Sequence, residues 1–158
     1  MSQVYAKDKE DTEMQFEINA RELQMEISNF VMRKNILPKA WRYAIGYPLI
    51  AKVDELVDNI VLAKSIYPTN EWEYTQRKHY QVLAIANCHQ IQNKLVRAEK
   101  CVQTITAEHL DKFILKIGKE IGLLIAWKKS NKPIEKEKNV IVSLLEKIVE
   151  VLLKIYSK

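Results

Sequence analysis

Apolar residues recur along most of this chain at alternating steps of three and four, the spacing that lays one stripe down an α-helix. Phe16, Ala20, Leu23, Ile27 and Phe30 form the first stripe. A second runs from Ile45 through Leu49, Val53, Leu56 and Ile60 to Ala63, leaving Lys52, Asp54, Glu55 and Asp58 for other faces. Ala84, Cys88, Ile91, Leu95, Ala98 and Val102 make a third in strict heptad spacing, with Tyr80, Leu83, Ile85 and Val96 apolar beyond that seam. In a fourth, Leu110, Phe113 or Ile114, Ile117, Ile121 and Leu124 point inward. A fifth segment, from about Lys138 to Tyr156, confines Asn139, Ser143, Glu146, Lys147, Glu150 and Lys154 to one narrow stripe and is apolar elsewhere. Such a helix needs cover from its own bundle, a sister subunit or a protein partner. It is too short and too often charged to span a bilayer comfortably. No strand-period alternation or internal repeat interrupts the pattern.

The breaks between stripes carry their own signals. Asn35 can close the first helix in a left-handed conformation, and Pro38 suits the first position of the next. Pro48, inside the second stripe, crowds the carbonyl of Ala44 and predicts a kink or local break. Asn70 and Thr106 are N-cap candidates, and Ser130 to Pro133 form a breaker. Gly118 and Gly122, one turn apart, predict close approach by a neighbouring helix. Three units follow: a flexible acidic leader over 1–13, a helical domain over 14–130, and a C-terminal helical extension over 131–158.

The 158 residues suffice for one domain with a core that needs no metal or disulfide staple. Three glycines, four prolines and 47% hydrophobic residues favour a compact all-helical chain over a disordered one. The net charge of +5 is unevenly placed: residues 1–30 hold three Lys/Arg against seven Asp/Glu, and residues 31–158 hold 22 against 13. A basic body behind an acidic leader suits a polyanionic partner such as nucleic acid. No secretory signal pattern opens the chain, so a cytoplasmic location is expected.

Chemistry-bearing residues are sparse. Cys88 and Cys101, thirteen apart with no second pair, read as reduced core thiols. His79, His89 and His109 share no helical spacing with one another or with a cysteine, which predicts no metal site. Cys88 and His89 project about 100° apart on a helix, so the thiol has no base in reach. Glu71 with Glu73, and Glu135 with Glu137, are poorly spaced for acid and base work on one helical face. No phosphate-cradling glycine loop or nucleophile elbow is present, and no enzyme or cofactor is predicted. Trp41, Trp72 and Trp127 read as core or interface anchors.

Cations are the remaining candidates. Arg33 with Lys34, Lys39 with Arg42, then Arg77, Lys78, Lys94, Arg97 and Lys100, and finally Lys112, Lys116 and Lys119 form four groups. The last three lie four and three apart and make one stripe, opposed only by the flanking Asp111 and Glu120. Basic stripes beside aromatic rings bind nucleic acid by phosphate attraction and stacking, largely without sequence preference. The competing reading is a solvated helix face.

The run Leu37, Pro38, Lys39, Ala40, Trp41, Arg42, Tyr43, Ala44, Ile45, Gly46 resembles the opening of the second helix in the accessory variability determinant proteins of diversity-generating retroelements. Ile117, Gly118, Lys119, Glu120, Ile121 and Gly122 resemble that family's apolar, Gly, Arg, two residues, Gly pattern. Leu124 stands where the family commonly has tryptophan, and 131–158 has no counterpart in the family core. The resemblance implies an all-α, antiparallel four-helix bundle protomer, here with an additional C-terminal helix, assembling as a homo-oligomer, a ring-shaped pentamer. It implies a non-catalytic accessory subunit that binds a reverse transcriptase and its template RNA and cDNA during mutagenic reverse transcription. The alternative is a structural four-helix oligomer of the ribosomal-RNA intervening-sequence type, a protein-interaction module that binds no nucleic acid.

Overall fold

The computed structural model describes residues 2–132 and 147–149, with side chains from Gln15 onward. The described residues are all-helical and contain no strand. Helix α1 spans Ser2–Met32, α2 is the single turn Lys39–Trp41, a π-helical turn covers Arg42–Gly46, and α3 (Tyr47–Ser65), α4 (Glu71–Cys101) and α5 (Ala107–Ser130) follow. Helix α1 thus reaches back through the expected leader. Of the fifth apolar segment only 147–149 are among the described residues, and they are helical; the rest of it lies outside them.

The four stripes become one core. Every apolar residue on the seams of the first three is buried, as are Leu110, Phe113, Ile117 and Leu124 of α5. Helix α1 packs on α3 and α5, and α4 packs on the same two. Phe16 stacks on Trp127 with ring centroids 4.4 Å apart, while Phe30 meets Phe113 edge-on at 5.3 Å. Residue numbers therefore rise along α1 as they fall along α5. Across α1 and α3 the pairs Glu17–Lys64 and Gln24–Asp54 run in the same opposed sense.

Each helix end has a local cause. Asn70 caps α4 by accepting the Glu73 N–H at 2.9 Å, and the Glu73 carboxylate reaches back to the Thr69 N–H at 2.7 Å and its hydroxyl at 2.8 Å. Ahead of α5, the Thr106 N–H donates to His109 Nδ1 at 3.2 Å. Asn35 takes no left-handed conformation, since no described residue has positive φ. Instead α1 ends in a tight turn, with the Leu37 N–H donating to the Arg33 carbonyl at 2.9 Å.

Pro48 produces a local break of a specific kind. The backbone widens into the π turn Arg42–Gly46, closed by the Tyr47 N–H on the Arg42 carbonyl, and Pro48 falls in the first turn of α3. One added residue per turn relieves the clash between the proline ring and the Ala44 carbonyl, and a first-turn proline leaves no donor missing. Gly46 closes this junction against α1. A Cβ there would lie 2.6 Å from Val31 Cγ1 and 2.9 Å from Leu37 Cδ2, so only glycine fits without displacing them.

Three expectations for α5 and its surroundings are corrected. A Cβ added at Gly118 or Gly122 meets nothing within 4 Å, so no described helix of the protomer approaches them. Ile121 is only half-buried, and the inward position belongs to Glu120, 1% exposed. The steps Phe113, Ile117, Glu120, Leu124, Trp127 are four, three, four, three, so the heptad register of the packed helix carries the glutamate into the core. Finally, Cys88 is buried but Cys101 is exposed, so only one thiol belongs to the core.

Candidate nucleic-acid interface

The basic residues separate according to their neighbours. The α1–α2 connection and the α4–α5 turn are joined where the Thr104 hydroxyl donates to the Ile36 carbonyl at 2.5 Å. That bond puts Arg33, Lys34 and Lys39 at the same end of the molecule as Arg97 and Lys100 in the closing turns of α4. All five are exposed, and none is ion-paired among the described residues. Arg42, in the π turn of this junction, is half-buried, with Nε enclosed and without a hydrogen-bond partner. Lys94, further back on α4, is half-buried and lends its charge to Glu55, whose carboxyl Lys52 holds below its usual range.

The lysine stripe of α5 is not the free cationic row that its spacing predicts. Lys116 pairs with Glu26 at 2.6 Å and with Glu22 at 3.4 Å, and Lys112 pairs with Glu26 at 3.4 Å. The opposing charges come from α1, far away in sequence, and not from the flanking Glu120. The bond from Lys116 lowers the Glu26 pKa, and the Lys116 pKa is in turn raised chiefly by Glu26. These pairs are largely solvated and contribute about 0–1 kcal/mol each, but they neutralise the two lysines. Lys112 also lies 4.9 Å from the Phe113 ring centroid. Lys119 alone of the three is exposed without an ion pair among the described residues.

Arg77 and Lys78 sit at the opposite end, in the first turns of α4. The Arg77 guanidinium lies over Trp127 at 5.6 Å, and Lys78 lies over Tyr74 at 5.3 Å while donating to its hydroxyl at 3.2 Å. The eleven candidates plus Lys100 are thus distributed over both ends and one face. The structure gathers the junction group with Arg97 and Lys100 and leaves the others apart.

Buried polar groups went unread in the sequence. Asn87 is fully engaged, donating to Glu55 at 2.9 Å and accepting from Asn59 at 3.0 Å. Gln81 accepts from Asn131 at 2.7 Å. No well-formed hydrogen bond reaches either carboxyl oxygen of Glu120, and the Asn19 amide nitrogen beside it is unpartnered as well. Burial pushes Glu120 up to about 8 against the opposing pull of the Asn19 amide and the Lys119 charge. Cys88 shares this layer, and its thiol is pushed far up by burial and then by Glu120. Heptad continuation of the α4 and α5 seams was the available signal for Gln81 and Glu120.

Among the described residues, no cluster of His, Cys, Asp and Glu is arranged to hold a metal ion. Nor is any described helix long and apolar enough to cross a membrane. Comparison with known protein families, curated proteins and solved structures finds no match.

Proposed function

We propose that this chain is a non-catalytic accessory subunit of a diversity-generating retroelement reverse transcriptase, folded as an antiparallel four-helix bundle and binding template RNA and cDNA at its basic junction end. The observation that carries the reading is the meeting of Arg33, Lys34 and Lys39 with Arg97 and Lys100, all exposed and without ion pairs among the described residues. Five cations at one end form a phosphate-attracting surface whose affinity comes from counterion release. The Leu37–Gly46 resemblance supplies the polymerase partner.

Assembly is part of this proposal. Leu115 is 74% exposed, Gly118 and Gly122 stand open beside it on α5, and Met25 of α1 is exposed too. Apolar and small residues on an open helix face favour a second helix from another protomer, and the family resemblance selects a pentamer.

Electrophoretic shift assays with single-stranded RNA and DNA at several salt concentrations test the binding. Affinity is expected to fall steeply with salt, and Arg33→Gln, Lys34→Gln and Lys39→Gln together should flatten the log–log slope by about two to three. Lys112→Gln with Lys116→Gln should change it far less. An absence of binding at low salt favours the structural-oligomer alternative, and light scattering on the full chain reads the subunit number. A reverse transcriptase gene and an adenine-substituted template/variable repeat pair beside the coding sequence would tie it to a retroelement.

A further inference from the structure

We propose that the groove between the end of α3 and the start of α4 recognises the guanidinium of an arginine side chain presented by a protein partner, held among Tyr67, Trp72 and Tyr80 beside the Glu73 carboxylate. The groove is open to solvent and has a volume of about 420 Å³, enough for an arginine head and part of its stem, and its walls come from both helices and the turn between them. Tyr67 is 83% exposed and Trp72 69% exposed, so two large rings stand in water with no role in the protomer core. Of the core or interface anchoring expected of the three tryptophans, Trp72 leaves only the interface role open, whereas Trp127 is buried and Trp41 packs against the core.

The chemistry of the lining selects the occupant. Of the residues that line the groove, Glu73 alone is charged, and no lysine or arginine is among them. Aromatic faces carry negative potential, so three rings and a carboxylate together favour a cation and repel phosphate. The carboxylate is fixed in place, because one of its oxygens takes both the Thr69 N–H and the Thr69 hydroxyl. Those bonds lower its pKa, so it is ionised at neutral pH. Guanidinium is the fitting cation: it is planar, weakly hydrated and stacks on rings, while the Gln76 amide in the wall can accept one of its remaining donors. The same chemistry operates inside the molecule where Arg77 covers Trp127. This site lies away from the basic junction and stands whether or not that junction binds nucleic acid.

The test titrates the full chain with N-acetyl-arginine amide by isothermal titration calorimetry, with N-acetyl-citrulline amide as the neutral isostere. A saturable change is expected with arginine, and citrulline should bind at least ten-fold more weakly. Trp72→Ala should abolish the response. Tyr67→Ala should weaken binding several-fold and leave the helical CD signal intact, since Tyr67 is almost wholly in solvent. Glu73→Gln should narrow the preference for arginine over citrulline. Equal responses to the two amides, or binding unaffected by both aromatic substitutions, would overturn the proposal. So would displacement of the arginine probe by a short single-stranded oligonucleotide, which would reassign the groove to base stacking.

Discussion

Gly46 and the pair Gly118 and Gly122 are the chain's three glycines, all helical, and they sit in opposite circumstances. At Gly46 the π turn presses on α1, and a single added carbon would collide with Val31 and Leu37. Around Gly118 and Gly122 a methyl group meets nothing within 4 Å among the described residues. A helical glycine costs about 1 kcal/mol relative to alanine; packing within the protomer offsets the first, and no described residue packs on the other two. Spacing alone suggests the reverse emphasis, because two glycines one turn apart look like a helix-packing device. What decides is the distance to the neighbouring backbone and side chains, and that distance is tertiary.

Substitutions break this contrast in order of size. Gly46→Ala should destabilise by about 1–3 kcal/mol, because the well-packed Val31 and Leu37 must move. Val31→Ala in the same chain should recover part of the loss, which a double-mutant cycle in urea measures. The inward face of α5 supplies a second effect of similar size. Glu120→Leu should stabilise by about 1–3 kcal/mol by removing a buried carboxyl that no well-formed hydrogen bond reaches.

The same residue sets a pH dependence. Its folded pKa lies above the ordinary carboxyl value, so the folded state holds a proton that the unfolded state has released. Stability from this group is full below about 4.5, falls as pH rises towards about 8, and is level above that. Urea melts at pH 5 and pH 9 should show the loss, and Glu120→Gln should flatten it. The carboxyls Glu17, Glu26 and Glu55 have lowered pKa values and act oppositely, losing their contribution as pH falls below the ordinary carboxyl range.

The smallest effects belong to the open face. Gly118→Ala and Gly122→Ala should each stabilise a lone protomer by about 0.5–1 kcal/mol. If α5 packs closely on another subunit, the same changes should shift the molecular weight seen by light scattering towards smaller species. Gains in stability with unchanged mass would leave that face outside the assembly interface.

The basic residues show a similar division between local and distant causes. Lys112, Lys116 and Lys119 are a stripe in sequence, and the stripe is real, but its partners Glu22 and Glu26 come from a helix about ninety residues away. Arg33 and Arg97 are unremarkable individually, yet the Thr104–Ile36 bond joins the connection that holds Arg33 to the turn that follows the helix of Arg97. One-dimensional charge patterns count cations without their counterions, so they overstated α5 and understated the junction.

By itself the sequence determined the helices and most of their inward faces, because a period of 3.6 residues and heptad steps are local properties that burial then fulfils. It also determined the Asn70 cap and the disturbance at Pro48, since a missing N–H and a crowded carbonyl act within one turn. Only the tertiary structure decided that Gly46 is the crowded glycine, which lysines are neutralised, and that Trp72 stands in solvent. Each of these depends on what a second helix places opposite the residue, and a helix carries no record of its neighbour in its own periodicity.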